Sequence, residues 1–252
     1  MRPMLAQPVS VPKVALLHSW GLEGLGEPHP VLGSHGLHVP SGRTAEFTRQ
    51  CLELLARVGL STEQALTSGF RDTLRTLARP SRELYCWSAY ADPHRDGALL
   101  VAERDGEAVA AFVHGDTVSL RSVDPRRLVE EFVALLPPAP AASVRSLSVP
   151  RSEFESTEAV DEDDGFRITG RRDVKELRDH LKAPREGVHQ LYGAVTVNGA
   201  RRRSDPLSLI DVAGLGRMLV FRDAEDFIQR RPGSVEALTE ALAVALRGRR
   251  SA

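Results

Sequence analysis

Two-residue turns constrain this chain more than any other feature. Asp105-Gly106 and Gly115-Asp116 each separate two runs rich in β-branched and small apolar residues. A connection that short suits antiparallel strands, because a residue at positive φ matches their right-handed twist. The turns therefore predict a meander of Gly97–Arg104, Glu107–His114 and Thr117–Ser122, preceded by a strand over Leu84–Ala91. A helix ends at Leu77-Ala78-Arg79-Pro80, and another starts at Asp124-Pro125, where Asp124 is a fitting N-cap.

The same plan recurs downstream. Leu181-Lys182-Ala183-Pro184 ends a helix, and Val188–Val197, an Asn198-Gly199 turn, Leu207–Val212, Gly216–Arg222 and Asp226–Arg230 follow, with a closing helix from Ser234. Phe132, Leu135 and Leu136 of the first closing helix match Leu242, Ala245 and Leu246 of the second. The second copy is about six residues longer, the excess falling around Arg201–Pro206 and Ala213–Gly216. The expected fold is α+β: one domain over 1–252, with a central antiparallel sheet built from two pseudo-twofold-related helix–meander–helix halves and flanked by helical bundles. The halves, 1–137 and 143–252, are joined by the stiff proline-rich linker 137–142.

Outside the repeat, Val9-Ser-Val11 suits a short strand, and Pro12 opens a helix through Trp20 that Gly21 ends. The prolines of Gly24–Leu32 force an extended arm. Phe47, Cys51, Leu54, Leu55 and Val58 form one stripe of a helix from Thr44, with Gly59 at its C′ position. Ser61 and Gln64 are spaced as a capping box for the next helix, whose stripe is Leu66, Phe70, Leu74 and Leu77. Arg171–Leu181 and the helix with Val235, Leu238, Leu242 and Ala245 are likewise amphipathic.

The formal net charge of −1 gives no field to hold a polyanion, and Arg201-Arg202-Arg203 and Arg247–Arg250 fit a solvated loop and a helix C-terminus, so nucleic acid is not an expected partner. Cys51 and Cys86 read as buried free thiols of a reducing compartment. With no export signal and no apolar run long enough to span a bilayer, the expectation is a cytoplasmic protein. His29, His35 and His38 lie close in sequence but off one helical face, and no acidic residue or cysteine completes a metal set. Glu153–Asp164 packs seven carboxylates without a base, which reads as a solvated loop and lacks the ligand order of a calcium site. Neither metal nor cofactor is expected.

The strand Leu84–Tyr90 carries Tyr85 and Trp87 on one face and Tyr90 on the other. Such side chains fit either a packed strand or an amphipathic contact surface for a protein partner. The polar stretch Asp92-Pro-His-Arg-Asp96 after it is a candidate recognition loop, presenting Asp92, His94, Arg95 and Asp96. No phosphate loop, nucleophile elbow, dinucleotide fingerprint or zinc-protease motif occurs. An enzyme would have to assemble a site, a hydrolase being the least remote form, from distant residues.

Trp20 with Gly24–Leu32, Ala56–Leu60, Leu77–Pro80 before an aromatic strand, Val133–Pro138, and Ala183-Pro-Arg185 resemble, in order and spacing, the EspG family of ESX (type VII) secretion-associated proteins of actinobacteria. The acidic stretch Glu153–Asp164 looks like a departure from that pattern. The resemblance implies a cytosolic chaperone without catalysis. Family members hold the helical tip of the PPE protein in a secreted PE–PPE heterodimer, keep the pair soluble and sort it for export. It also implies that the recognition loop contacts the client and that the final helix, with Leu238 and Leu242, supplies the helical side of the contact. PE–PPE-like or other helical-hairpin secreted proteins are the expected partners, and a non-catalytic adaptor for another protein is the alternative.

Overall fold

The computed structural model describes residues 4–33, 41–62, 64–156 and 168–247. Among them lie seven α-helices and an eleven-stranded antiparallel sheet. The first half runs β1 (Val9–Pro12), α1 (Lys13–Leu22), α2 (Thr44–Ala56), α3 (Ser68–Ala78), β2 (Arg82–Tyr90), β3 (Gly97–Arg104), β4 (Glu107–His114), β5 (Thr117–Val123) and α4 (Leu128–Leu135). The second runs β6 (Leu147–Pro150), α5 (Arg151–Glu155), α6 (Ile168–Lys182), β7 (Arg185–Val197), β8 (Ala200–Arg203), β9 (Leu207–Val212), β10 (Gly216–Arg222), β11 (Phe227–Pro232) and α7 (Val235–Arg247).

The spatial order is β1-β5-β4-β3-β2-β7-β9-β10-β11-β6, with β8 pairing β7 off this path. That order is a palindrome of the repeat. Each strand of the first half has its counterpart at the same distance on the other side of the antiparallel β2–β7 pair, where Tyr85 faces Tyr192 and Cys86 faces Leu191. The outermost pair shows it in sequence too: Val9-Ser-Val-Pro12 on one edge and Leu147-Ser-Val-Pro150 on the other, each followed at once by a helix. The pseudo-twofold of the two halves is thus built into one continuous sheet.

Local chemistry accounts for the turns. Asp105 and Gly106 sit at φ 53° and 80°, and Asn198 and Gly199 at 52° and 77°, the two successive positive values of a twisted hairpin connection. Gly59, at φ 73°, closes α2 in a Schellman arrangement: its N–H donates to Ala56 and that of Leu60 to Leu55. Of the extra residues at 201–206, the first three are strand, because Ala200–Arg203 pairs with β7 and makes that connection a hairpin. The helix expected to stop at Gly21 continues to Leu22, and the capping box is absent. Ser61 instead donates to the carbonyl of Leu52, and Thr67 caps α3 by accepting from the N–H of Phe70.

The sheet is covered differently on its two faces. On one, α4 and α7 pack over the middle of both halves, burying Leu84, Cys86, Leu99, Val101, Leu191, Leu207, Leu209 and Leu219 together with Phe132, Leu238 and Leu242. On the other, α1, α2 and α3 cover β1 and β3–β5 with Trp20, Leu55, Phe70, Leu74 and Leu77. At the far end of that same face, α6 covers β6 and β11 through Val174 and Leu177. A fully buried Leu or Phe in such layers contributes roughly 1.5–3 kcal/mol. Trp20 is enclosed and donates its indole N–H to the carbonyl of Gly26 at 2.9 Å, which holds the 24–32 arm on the core. Cys51 and Cys86 are free and buried, and burial pushes the Cys86 thiol up to about 12. No helix among the described residues is long and apolar enough to cross a membrane. His35, His38 and residues 157–167 of the acidic stretch lie outside the described residues.

Candidate partner-binding surface

Because α1–α3 and α6 cover opposite ends of one sheet face, the central strands between them stay partly open. Trp87 and Ala89 of β2, Val188, Gln190 and Tyr192 of β7, and Ser208 of β9 line this strip, Ala89 being exposed and the others half-buried. Alternation places them on one face. Trp87 packs edge-on to Tyr192 at 5.8 Å between ring centres and to Tyr85 at 5.4 Å, while Tyr85 and Tyr192 stack at 5.2 Å across the pair that joins the halves. Gln190 donates to Ser208 at 2.9 Å, so the polar part of the strip is internally satisfied.

At one end of the strip projects the loop after β2. Pro93–Arg95 form a single 3₁₀ turn, with the Asp92 carboxylate accepting from the N–H of His94 at 3.1 Å and that of Asp96 from the N–H of Tyr90 at 2.8 Å. These bonds hold the loop's shape while leaving Asp92, His94, Arg95 and Asp96 exposed. Arg95 lies over the Tyr90 ring at 4.3 Å, and the His94 carbonyl meets His114 Nε2 at 2.8 Å. The exposed Phe112 stands at the same end, against Gly97.

At the other end, the β7–β8 hairpin is pinned at its base. Thr196 donates its N–H to Ser81 at 2.9 Å and its hydroxyl to Pro80 at 2.8 Å. Arg201 pairs with the buried Glu83, and Arg203 lies over the Tyr192 ring at 5.0 Å. His29, carried in by the 24–32 arm, stands 3.6 Å from the second Glu83 oxygen. Burial, then the nearby Arg201 charge, lowers the His29 pKa to about 4, so the ring is neutral there.

Beneath the loop, on the face that α4 and α7 cover, four polar residues converge. Ser88 meets His189 Nδ1 at 2.7 Å, and His189 Nε2 lies 3.3 Å from Asp211. Arg217 donates to both Asp211 oxygens, at 2.6 and 2.8 Å, and to the linker carbonyl of Pro137 at 2.7 Å. Burial pushes the Asp211 carboxyl up, but the bonds from Arg217 and then His189 outweigh it and hold the group far below the carboxylate range. Tyr90 packs edge-on against His189 at 5.4 Å. The cluster thus ties the linker and second half to the base of the recognition loop.

Of the residues singled out in the sequence, the structure brings Trp87, Asp92, His94, Arg95 and Asp96 to one end of an accessible surface. Three others are corrected. Tyr85 is 2% exposed, Leu238 3% and Leu242 0%, because their apolar faces pack against the chain's own sheet and helices, leaving none free for a partner. Tyr192, Gln190, Ala89 and the hairpin arginines were not singled out as contacts. Their placement depends on the register of β2 against β7, although Trp87 and Tyr192, aromatic residues at similar places in the two repeats, hint at it. Among the described residues no cluster of His, Cys, Asp and Glu is arranged to hold a metal.

No curated protein matches the chain. Among solved structures it is similar to that of the Mycobacterium tuberculosis type VII secretion system chaperone EspG5 in complex with the PE25–PPE41 dimer, at 16% identity. The likeness covers 95% of this chain and 97% of that one with a TM-score of 0.69, so the two share a fold. The sequence model of the EspG family matches residues 12–243, and the chain belongs to the EspG family.

Proposed function

We propose that this protein is a cytosolic chaperone of type VII secretion that binds the helical tip of a PE–PPE-type heterodimer, keeps it soluble and presents it for export. The observation that carries the reading is the open aromatic strip in the middle of the sheet with the exposed 92–96 loop at its end, in a chain of this family. An apolar helical tip left in water invites aggregation. Half-buried Trp87 and Tyr192 offer rigid apolar area with polar edges, which suits such a tip better than a small molecule.

Co-expression with PE–PPE-type helical-hairpin pairs from the source organism tests this, with a stable co-purified complex as the expected result. Recovery of no pair, or of a non-secreted partner alone, counts against it. Within the complex, Ala89→Arg with Arg95→Glu is expected to weaken client affinity at least tenfold, about 1.4 kcal/mol. Both positions are exposed, so Tm should fall by no more than about 4 °C, the shift for roughly 1 kcal/mol. Parallel loss of both would show the strip to be structural.

Among the described residues, the contact of Ser88, His189 and Asp211 is the arrangement that invites a hydrolytic reading. We read it as structural: His189 is wholly enclosed, Arg217 occupies both Asp211 oxygens, and serine and aspartate meet the opposite ring nitrogens from those of a hydrolytic triad. A fluorophosphonate probe is expected to leave Ser88 unlabelled, as read by mass spectrometry. Labelling that Ser88→Ala abolishes would reopen catalysis.

A further inference from the structure

A seat with pseudo-twofold symmetry has an ambiguity built in. A client rod laid on the β2–β7 pair meets similar strands when turned end for end, so only differences between the two ends of the strip can fix its orientation. Those ends are symmetry counterparts: the 91–96 loop joins β2 to β3, and the β7–β8 hairpin lies in the connection of their mates, β7 and β9. Their charges differ in sign. The loop end exposes Asp92, Asp96 and Glu186, against which stand Arg95, drawn onto Tyr90, and Arg185, turned to the Leu181 carbonyl. The hairpin end carries Arg201, Arg202, Arg203 and Arg222, of which Arg201 pairs with Glu83 and Arg222 with Asp205. Arg202 and Arg203 form no ion pair with a carboxylate among the described residues.

The two are not equivalent. Pairing of β7 with β8 sets Arg203 opposite Ala194 and Arg202 opposite Val195, so only Arg203, over the Tyr192 ring, shares the face of the strip. A guanidinium spread on an aromatic face keeps its outer N–H groups free for a carboxylate, and its stacking fixes where they point.

We propose that the β7–β8 hairpin is the second arm of the client seat and sets the client's orientation, with Arg203 taking a carboxylate at the acidic end of a helical hairpin. This rests on the chaperone reading and adds to it a polarity. A helical hairpin with one acidic end can then sit one way only: the reversed pose sets its carboxylates against Asp92, Asp96 and Glu186.

The test uses the full-length protein and the PE–PPE-type pair recovered by the co-expression above, titrated at two salt concentrations. Arg203→Glu is expected to lower affinity about tenfold and flatten its salt dependence, with Tm unchanged. Arg203→Lys, which keeps charge but loses the stacked fork, should fall between, and Arg202→Glu, on the opposite hairpin face, should cost less than threefold. A photo-crosslinker at position 203 should reach an acidic client segment and one at position 95 a different segment. Equal effects of the two reversals, no effect of Arg203→Glu, or cross-links from both positions to one segment overturns the proposal while leaving the chaperone reading intact. Failure of the wild type to hold any pair overturns both.

Discussion

Replacing Arg217 with methionine is expected to destabilise the protein by about 3 kcal/mol, in the lower part of the range for breaking a buried ion pair. The side chain is 4% exposed, and its guanidinium serves both Asp211 oxygens and the Pro137 carbonyl at once. Methionine fills similar space but leaves a carboxylate and a linker carbonyl without their donor. The lower end applies because Asp211 retains 12% side-chain exposure and the His189 bond. Asp211→Asn with Arg217→Met removes the stranded charge, so the pair should lose less than the two singles added together, a coupling that a double-mutant cycle reads directly. Urea unfolding is the measurement, and a loss below about 1 kcal/mol would show that the cluster does not tie linker to sheet.

The pH dependence has a definite sign. The folded-state pKa of Asp211 is depressed, so its contribution is present above the unfolded value of 3.8 and is lost as pH falls below it towards the folded one. Without Arg217 the largest downward influence disappears while burial remains. The acid limb of the stability profile should therefore be shallower in Arg217→Met than in the wild type.

How far the sequence revealed this architecture depends on distance along the chain. Hairpins closed by Asp105-Gly106 and Asn198-Gly199 were legible, because turn type and strand register lie within a few residues of each other. The repeat of helix and meander followed from those units. Its edge copies did not, since β1 and β6 have four residues each and become counterparts only once the sheet order is known. The strip needs more still: Trp87 meets Tyr192 through pairing of strands about a hundred residues apart, which no local pattern encodes. Periodicity identified the apolar stripe of α7 but not what it faces. An amphipathic helix looks the same whether it lies on its own sheet or on a client; only the family resemblance pointed Leu238 and Leu242 at a client, and their burial against the sheet shows the other arrangement. At Ser61 spacing alone mimics a capping box, while Thr67, which caps α3, also bonds the Leu60 carbonyl through both its N–H and its hydroxyl.

Leu242→Ala gives the sharpest separation between those two readings of α7. Leu242 is fully enclosed in the layer where α7 lies over β7 and β2 beside α4, so truncation removes buried apolar contact and leaves a cavity in a layer shared by both halves. The expected cost is about 3 kcal/mol, within the usual 2–5 kcal/mol for Leu→Ala in a packed core. Phe132→Ala, at the matching place on α4, should cost as much or more. Val244→Ala, on the same helix but 59% exposed, should change stability by less than about 0.5 kcal/mol. Once affinity is referred to the folded fraction, Leu242→Ala should bind a client as tightly as the wild type, because the strip lies on the opposite face of the sheet. Unchanged unfolding combined with abolished client binding would instead mean that α7 leaves the sheet to grip its partner.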